Sequence, residues 1–96
     1  MNNNNSGFLI RADKHISLAN EQMDENTTQG EVSASLLYAA ARFNAWMAST
    51  SFESKEAMAE EKDKILEYFT EQYKLALGEN IDNHIENYDF SKNDLN

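Results

Sequence analysis

The sequence lacks cysteine and proline altogether, and it contains three glycines in 96 residues. Without cysteine, the chain has no disulfide, no thiolate metal site and no thiol nucleophile. Because proline and glycine are the residues that most often break helices or form tight hairpins, their scarcity favours helices over a sheet-rich fold. The absence of cysteine also fits a cytoplasmic protein, which is the location we expect.

Basic side chains are also few. The sequence contains eight Lys and Arg against 17 Asp and Glu, which gives a formal net charge of -9. This charge repels the phosphates of nucleic acids and anionic lipids, so we expect neither nucleic-acid nor membrane partners. An acidic domain that imitates nucleic acid to occupy a basic partner is an open alternative. A solvated acidic surface is the commoner reason for such a composition.

Long apolar runs are missing as well. Near the start, Phe8 to Ile10 is an apolar run of three residues before Arg11, which does not fit an export signal. The least charged segment, "SASLLYAAARFNAWMAS", has Arg42 and Asn44 near its centre. Because charged and amide side chains are costly in a bilayer, we expect no membrane span there.

A chain of 96 residues suits one domain with one small core. Residues 1–6, "MNNNNS", are polar and of low complexity, and we predict a disordered tail there. Residues 7–90 are predicted to form a single helical domain, and residues 91–96 a frayed C-terminus. The apolar fraction of 41% is ordinary for a folded protein.

Apolar residues recur at steps of three or four along the first half of the chain, which is typical of amphipathic helices. The spacing predicts a first helix over residues 7–26 and a second over about 31–48. A hydroxyl at Thr27 or Thr28 is positioned to cap the second helix, with Glu31 in its first turn.

A third helix is predicted to start after Ser51 or Ser54, either of which can accept the first free amides. Its apolar spacing continues without a phase shift through Gly78 to about Tyr88, and we expect the helix to pass through the glycine at a cost of about 1 kcal/mol relative to alanine. The alternative is a stop at Gly78 and a short fourth helix over 81–88. The sequence therefore predicts an all-α, three-helix bundle whose third helix is long or broken near Gly78.

The second helix differs from the others because its surface divides into three stripes. A bulky stripe comprises Val32, Leu36, Ala39, Ala40, Phe43 and Met47. A stripe of small side chains comprises Ala34, Ala41, Ala45 and Ala48. The remaining stripe carries polar tips and comprises Ser35, Tyr38, Arg42, Trp46 and Ser49. A helix that is apolar around most of its circumference must be covered on more than one side, so we expect the central helix to be buried.

How much of the second helix the other two helices can cover determines which oligomeric state we expect. The first helix offers one apolar stripe and the third is strongly charged on its outer face. A homodimer that uses Ala41 and Ala45, or the aromatic edge, would bury what a small monomer leaves exposed. The alternative is a monomeric bundle in which the second helix is simply the most buried element.

Arg42 and Trp46 are four residues apart, a spacing that permits the guanidinium to lie over the indole. With Tyr38 and Asn44 they form the one concentration of groups suited to an anionic or aromatic ligand. The structural alternative is an arginine whose stem covers Trp46 and whose head pairs with a carboxylate of a neighbouring helix or subunit. The candidate ligand or interface residues are Tyr38, Ala41, Arg42, Asn44, Ala45 and Trp46.

Motifs for catalysis are missing. Neither His15 nor His84 stands three residues after a glutamate, as helical di-metal sites require, and both are predicted to be boundary or surface residues. The serines lie at helix starts or beside alanines, without a nucleophile elbow. We therefore expect no catalytic residue, metal or cofactor, and we expect an interaction or structural module that acts through self-association or a protein partner. A small-ligand binder or an enzyme that uses the edge of the second helix is the alternative.

The segments "FLIRADKHISLANEQ", "EVSASLLYAAARFNAWMAS" and "YKLALGENIDNHIENYDF" resemble a family of small proteobacterial proteins classified as a domain of unknown function. The resemblance covers about Phe8 to Phe90 and rests mainly on "LLYAAARFNAW". It implies a bacterial, soluble, stand-alone helical protein without a known activity, and it assigns no functional residues.

Overall fold

The computed structural model describes residues 3–91, with side chains described from Gly7 onward. Over this range the chain forms four α-helices: α1 (Asn3–Gln22), α2 (Gln29–Ser49), α3 (Lys55–Glu60) and α4 (Lys62–Asn87). The predicted all-α class is confirmed. The predicted disordered tail covers residues 1–6; residues 1–2 lie outside the described range, and α1 begins at Asn3. Of the predicted frayed C-terminus, residues 92–96 lie outside the described range.

The chain divides into two units, one that ends at Thr50 and one that starts at Ser51. The first unit contains α1 and α2, which contact each other, and the second contains α3 and α4, which also contact each other. The single domain over residues 7–90 and the arrangement of a three-helix bundle stay predictions.

The start of α2 follows the predicted capping pattern. Thr28 Oγ1 accepts a hydrogen bond from the Glu31 backbone N–H at 3.2 Å. In return, Glu31 Oε1 accepts one from the Thr28 backbone N–H at 2.8 Å. This reciprocal capping box satisfies two backbone donors that a helix start leaves free, and it identifies Thr28 as the cap.

The third predicted helix is broken, and the break lies at Glu61 instead of near Gly78. Ser54 caps α3 as predicted, since its Oγ accepts the Ala57 N–H at 3.1 Å, but α3 ends after six residues. Glu61 has φ -100° and ψ 6°, outside the regular helix. Its amide still donates to the Met58 carbonyl at 3.0 Å, and its carbonyl accepts the Ile65 amide at 3.0 Å. Because both backbone groups stay bonded, the break needs neither glycine nor proline.

Gly78 lies inside α4, which continues to Asn87, so the predicted passage of the helix through this glycine is confirmed. No glycine among the described residues has a positive φ, and a Cβ added at Gly78 would meet nothing within 4 Å. We expect Gly78→Ala to raise the free energy of unfolding by about 1 kcal/mol, because alanine loses less backbone entropy in a helix interior. Urea unfolding followed by far-UV circular dichroism measures the change.

Gly30→Ala is the matched control for this substitution. Gly30 lies in the first turn of α2, and an added Cβ would lie 3.9 Å from Thr28 Oγ1. A gain at Gly30 should be smaller, since the first turn contributes fewer intrahelical hydrogen bonds. A loss of stability in Gly78→Ala would contradict a continuous α4.

The sequence predicted a buried central helix, but within the first unit α1 alone leaves most of α2 exposed, and burial of this helix in a bundle stays a prediction. Among residues 7–91, Val32 is the one buried side chain, at 5% exposure. Large apolar side chains of α2 are exposed by 41% at Leu36 and up to 64% at Phe43. The physical reason is that a pair of helices covers only one side of each member, whereas α2 is apolar on several sides. Within the described range, no helix combines the length and apolar character needed to span a bilayer.

Candidate interaction surface

Five of the six candidate residues lie on one side of α2, at steps of one, three or four residues. They are Tyr38, Ala41, Arg42, Ala45 and Trp46, and we call this set the α2 outer surface. All five are exposed. The structure therefore brings these five residues together, with the aromatic and cationic tips beside two methyl groups.

Asn44, the sixth candidate, does not join this surface. It is half-buried, as is Ala48 one turn later. At 100° per residue, Asn44 lies about 160° around the helix from Arg42 and Trp46. Its amide is thus directed away from the guanidinium and the indole, and the four groups proposed to surround a ligand do not converge.

The ring of Trp46 packs against Phe43, with centroids 5.5 Å apart and planes tilted by 52°. Such aromatic pairs are worth about 0.5–1.5 kcal/mol beyond the area that they bury. The sequence interpretation placed Phe43 on the bulky core stripe, yet its side chain is 64% exposed. In the sequence, the spacing of three residues between Phe43 and Trp46 was the signal that the two rings could pack together. The stacking of Arg42 on Trp46 stays a prediction.

Arg42 has no carboxylate partner within residues 7–91. The one ion pair in this range joins Lys64 Nζ and Glu61 Oε1, at 3.6 Å. A carboxylate from another helix of the same chain, which was one structural interpretation of Arg42, is therefore not found among the described side chains.

Two serines beside the α2 outer surface bind the backbone of α2 itself. Ser35 Oγ donates to the Val32 carbonyl at 3.0 Å, and Ser49 Oγ donates to the Trp46 carbonyl at 2.7 Å. Because their donors are satisfied within the helix, these hydroxyls present fewer free polar groups than the sequence suggests. This side of α2 is correspondingly more apolar.

Charge is distributed unevenly between the two units. Residues 1–50 contain three basic and five acidic side chains, whereas residues 51–96 contain five and twelve. The formal net charge is therefore -2 in the first unit and -7 in the second. Within α2, Glu31 and Arg42 are the only charged side chains, and they cancel. The α2 outer surface thus belongs to the less charged half of the chain.

Both histidines are exposed, as predicted. His15 lies on α1, and His84 lies in the last turn of α4. His84 Nδ1 is 2.9 Å from the carbonyl oxygen of Asn80, so this ring nitrogen is engaged by the helix backbone. Neither histidine belongs to the α2 outer surface.

Comparison with known proteins gives a family match and a structural match. A family model described as "Protein of unknown function (DUF3144)" matches residues 8–85, which confirms the resemblance carried by "LLYAAARFNAW". The NMR structure of the protein NB7890A from Shewanella sp is 44% identical, with 88% of this chain and 90% of that chain covered and a TM-score of 0.77. No curated protein matches this chain.

Proposed function

We propose that this chain, which belongs to the DUF3144 family of proteins of unknown function, is a non-enzymatic interaction module that self-associates through the α2 outer surface. The observation that carries the proposal is the exposure of aromatic side chains on one helix. Tyr38 and Trp46 of this surface are 64% and 61% exposed, and Phe43, which packs against Trp46, is 64% exposed. We expect the module to act in the cytoplasm, as the lack of cysteine suggests.

The exposed apolar area of α2 is large for a single helix. An aromatic side chain presents about 150–250 Å², so these three rings leave roughly 350 Å² exposed. The Trp46 and Phe43 rings pack together, and Tyr38 lies about two turns before Trp46 on the α2 outer surface. Contiguous apolar patches of a few hundred Å² on a monomer are often functional, which supports coverage of this side of α2 by another molecule.

A second copy of the chain fits this surface for reasons of charge and shape. The first unit has a net charge of only -2, so two copies that meet there repel each other weakly at physiological ionic strength. The methyl side chains of Ala41 and Ala45 allow the axes of two helices to approach to about 8 Å, the short end of the usual range. A carboxylate of the second copy can pair with Arg42, which has no partner among the described side chains.

The fluorescence of Trp46 tests the proposal directly, because it is the only tryptophan in the sequence. As the protein concentration rises, we expect the emission to shift to shorter wavelength and quenching by acrylamide to fall, since association removes water from the indole. N-acetyltryptophanamide at matched concentrations controls for inner-filter effects. Emission and quenching that stay constant with concentration would contradict burial of Trp46 between copies.

A further inference from the structure

Two opposite charges lie on one side of α2 and cannot reach each other within the helix. Glu31 and Arg42 are the only charged side chains of α2, and both are exposed. They are eleven residues apart, so they lie about 16 Å apart along the helix axis but only about 20° apart around it. Tyr38 lies between them on the same side. This side of α2 therefore carries a negative charge near its start and a positive charge past its middle.

The carboxylate of Glu31 can accept a further donor without loss of the helix cap. Its Oε1 accepts hydrogen bonds from the Thr28 backbone N–H at 2.8 Å and from Thr28 Oγ1 at 3.3 Å. A carboxylate has about four acceptor sites on its two oxygens, and Thr28 uses sites on Oε1. Glu31 can thus accept a guanidinium N–H at Oε2 while the capping box stays intact.

The two charges distinguish the orientations in which two α2 helices can pair. A closed dimer brings the same surface of both copies together. In a parallel pair, Glu31 faces the partner's Glu31 and Arg42 faces the partner's Arg42, so like charges meet. In an antiparallel pair, one register sets Glu31 opposite the partner's Arg42, and the two-fold symmetry forms the same ion pair a second time. Charge complementarity therefore favours the antiparallel orientation, as do the helix dipoles, whose opposite ends then lie side by side.

We propose that two copies associate through antiparallel α2 helices, with each Arg42 guanidinium bound to the partner's Glu31 carboxylate. This inference rests on the proposed self-association through the α2 outer surface and names the carboxylate that Arg42 meets there. The register sets the α2 outer surface of each copy against residues 27–35 of the other. The Trp46 indole then lies over the turn that precedes the partner's α2.

The register fixes the distance between equivalent residues of the two copies. Ser33 and Met47 are exposed and lie on the side of α2 away from the α2 outer surface, so a label at either position leaves that surface free. In the proposed register, Ser33 is level with the partner's Ala40, and the two copies of Ser33 are about 10 Å apart along the helix axis. Met47 is level with the partner's Asn26, and the two copies of Met47 are about 32 Å apart along the axis.

Pulsed EPR of spin-labelled cysteine variants measures these distances. The chain contains no cysteine, so Ser33→Cys or Met47→Cys provides a single labelling site in each copy. We expect the distance between labels at position 47 to exceed the distance at position 33 by at least about 10 Å.

Other distance patterns would overturn the proposal. Equal distances at the two positions would identify a parallel pair, and a longer distance at position 33 would identify an antiparallel pair centred near Arg42. Both results would leave self-association itself in place. A lack of any distance between copies, together with the mass of one chain, would instead contradict the proposed self-association.

Neutral substitutions test the ion pair. Glu31→Gln removes one charge, and glutamine can still return the hydrogen bond of the capping box. Arg42→Gln removes the other charge. Each variant should weaken self-association by about fivefold, because the dimer loses both ion pairs. The combined variant should also lose about fivefold and no more, since it has no pair left to lose.

Glu67→Gln is the matched control, because Glu67 is an exposed carboxylate on α4 in the second unit. It should leave the dissociation constant from sedimentation velocity nearly unchanged, and circular dichroism shows whether all variants keep their helices. An unchanged dissociation constant in Arg42→Gln, or losses that multiply to about 25-fold in the combined variant, would overturn the pairing of Glu31 with Arg42. Equal losses in Glu67→Gln and Glu31→Gln would overturn it as well, since they would show a general effect of charge.

Discussion

Replacing Ala41 and Ala45 together with glutamate is expected to weaken self-association by at least about 100-fold, which corresponds to about 2.7 kcal/mol. Both alanines are exposed in the single chain, so the carboxylates remain solvated in the monomer. Between two copies of α2 they would lose that solvation and face like charges. Sedimentation velocity at matched concentrations measures the change.

The matched control carries the same two added charges on the second unit. Ala59 lies on α3 and Ala76 on α4, both exposed, and replacing both with glutamate should leave self-association nearly unchanged. Circular dichroism confirms that the helices are retained in both variants. If both double variants dissociate equally, the effect is general charge repulsion and the α2 outer surface is not the interface.

Trp46→Ala is expected to weaken self-association by about 30-fold, because tryptophan at the centre of an interface typically contributes about 2 kcal/mol or more. The monomer should lose much less stability, since the Trp46 side chain is 61% exposed and its described ring contact is with Phe43. The dissociation constant from sedimentation and the free energy of unfolding at a monomeric concentration separate the two effects.

Tyr68→Ala provides the control for loss of an exposed aromatic ring. Tyr68 lies on α4, is 59% exposed and packs edge to face with Phe69, so its removal deletes a comparable ring from the other unit. Trp46→Phe should restore part of the association by returning an aromatic surface. An unchanged dissociation constant in Trp46→Ala would remove Trp46 from the proposed interface.

Local signals in the sequence predicted the helix starts well. Thr28 with Glu31, and Ser54 before α3, cap their helices through hydrogen bonds within three residues, which depend on the local sequence alone. The break at Glu61 was not predictable in the same way. The break contains no glycine or proline, and the Glu61 N–H and C=O keep their hydrogen bonds. Gly78, the residue that suggested a break, is tolerated inside α4 because a missing Cβ costs only about 1 kcal/mol.

Burial was harder to predict because it depends on contacts between elements that are distant in sequence. Periodicity located the α2 outer surface but could not show that Phe43 is exposed and that Asn44 is half-buried. An apolar groove on α4, lined by Leu77, Ile81, Ile85 and Phe90 among others, was missed for a related reason. Phe90 follows the end of the helix, and its contribution depends on the turn at Tyr88. An apolar residue shortly after a helix end was the available signal.

Sedimentation equilibrium of the unaltered chain tests self-association most directly. Between about 1 and 100 µM, the range in which association worth roughly 6 to 8 kcal/mol is resolved, we predict that the average mass rises from that of one chain towards that of two. The exposed aromatic surface of α2 is the reason for this expectation. A mass that stays at one chain throughout the range would contradict the account.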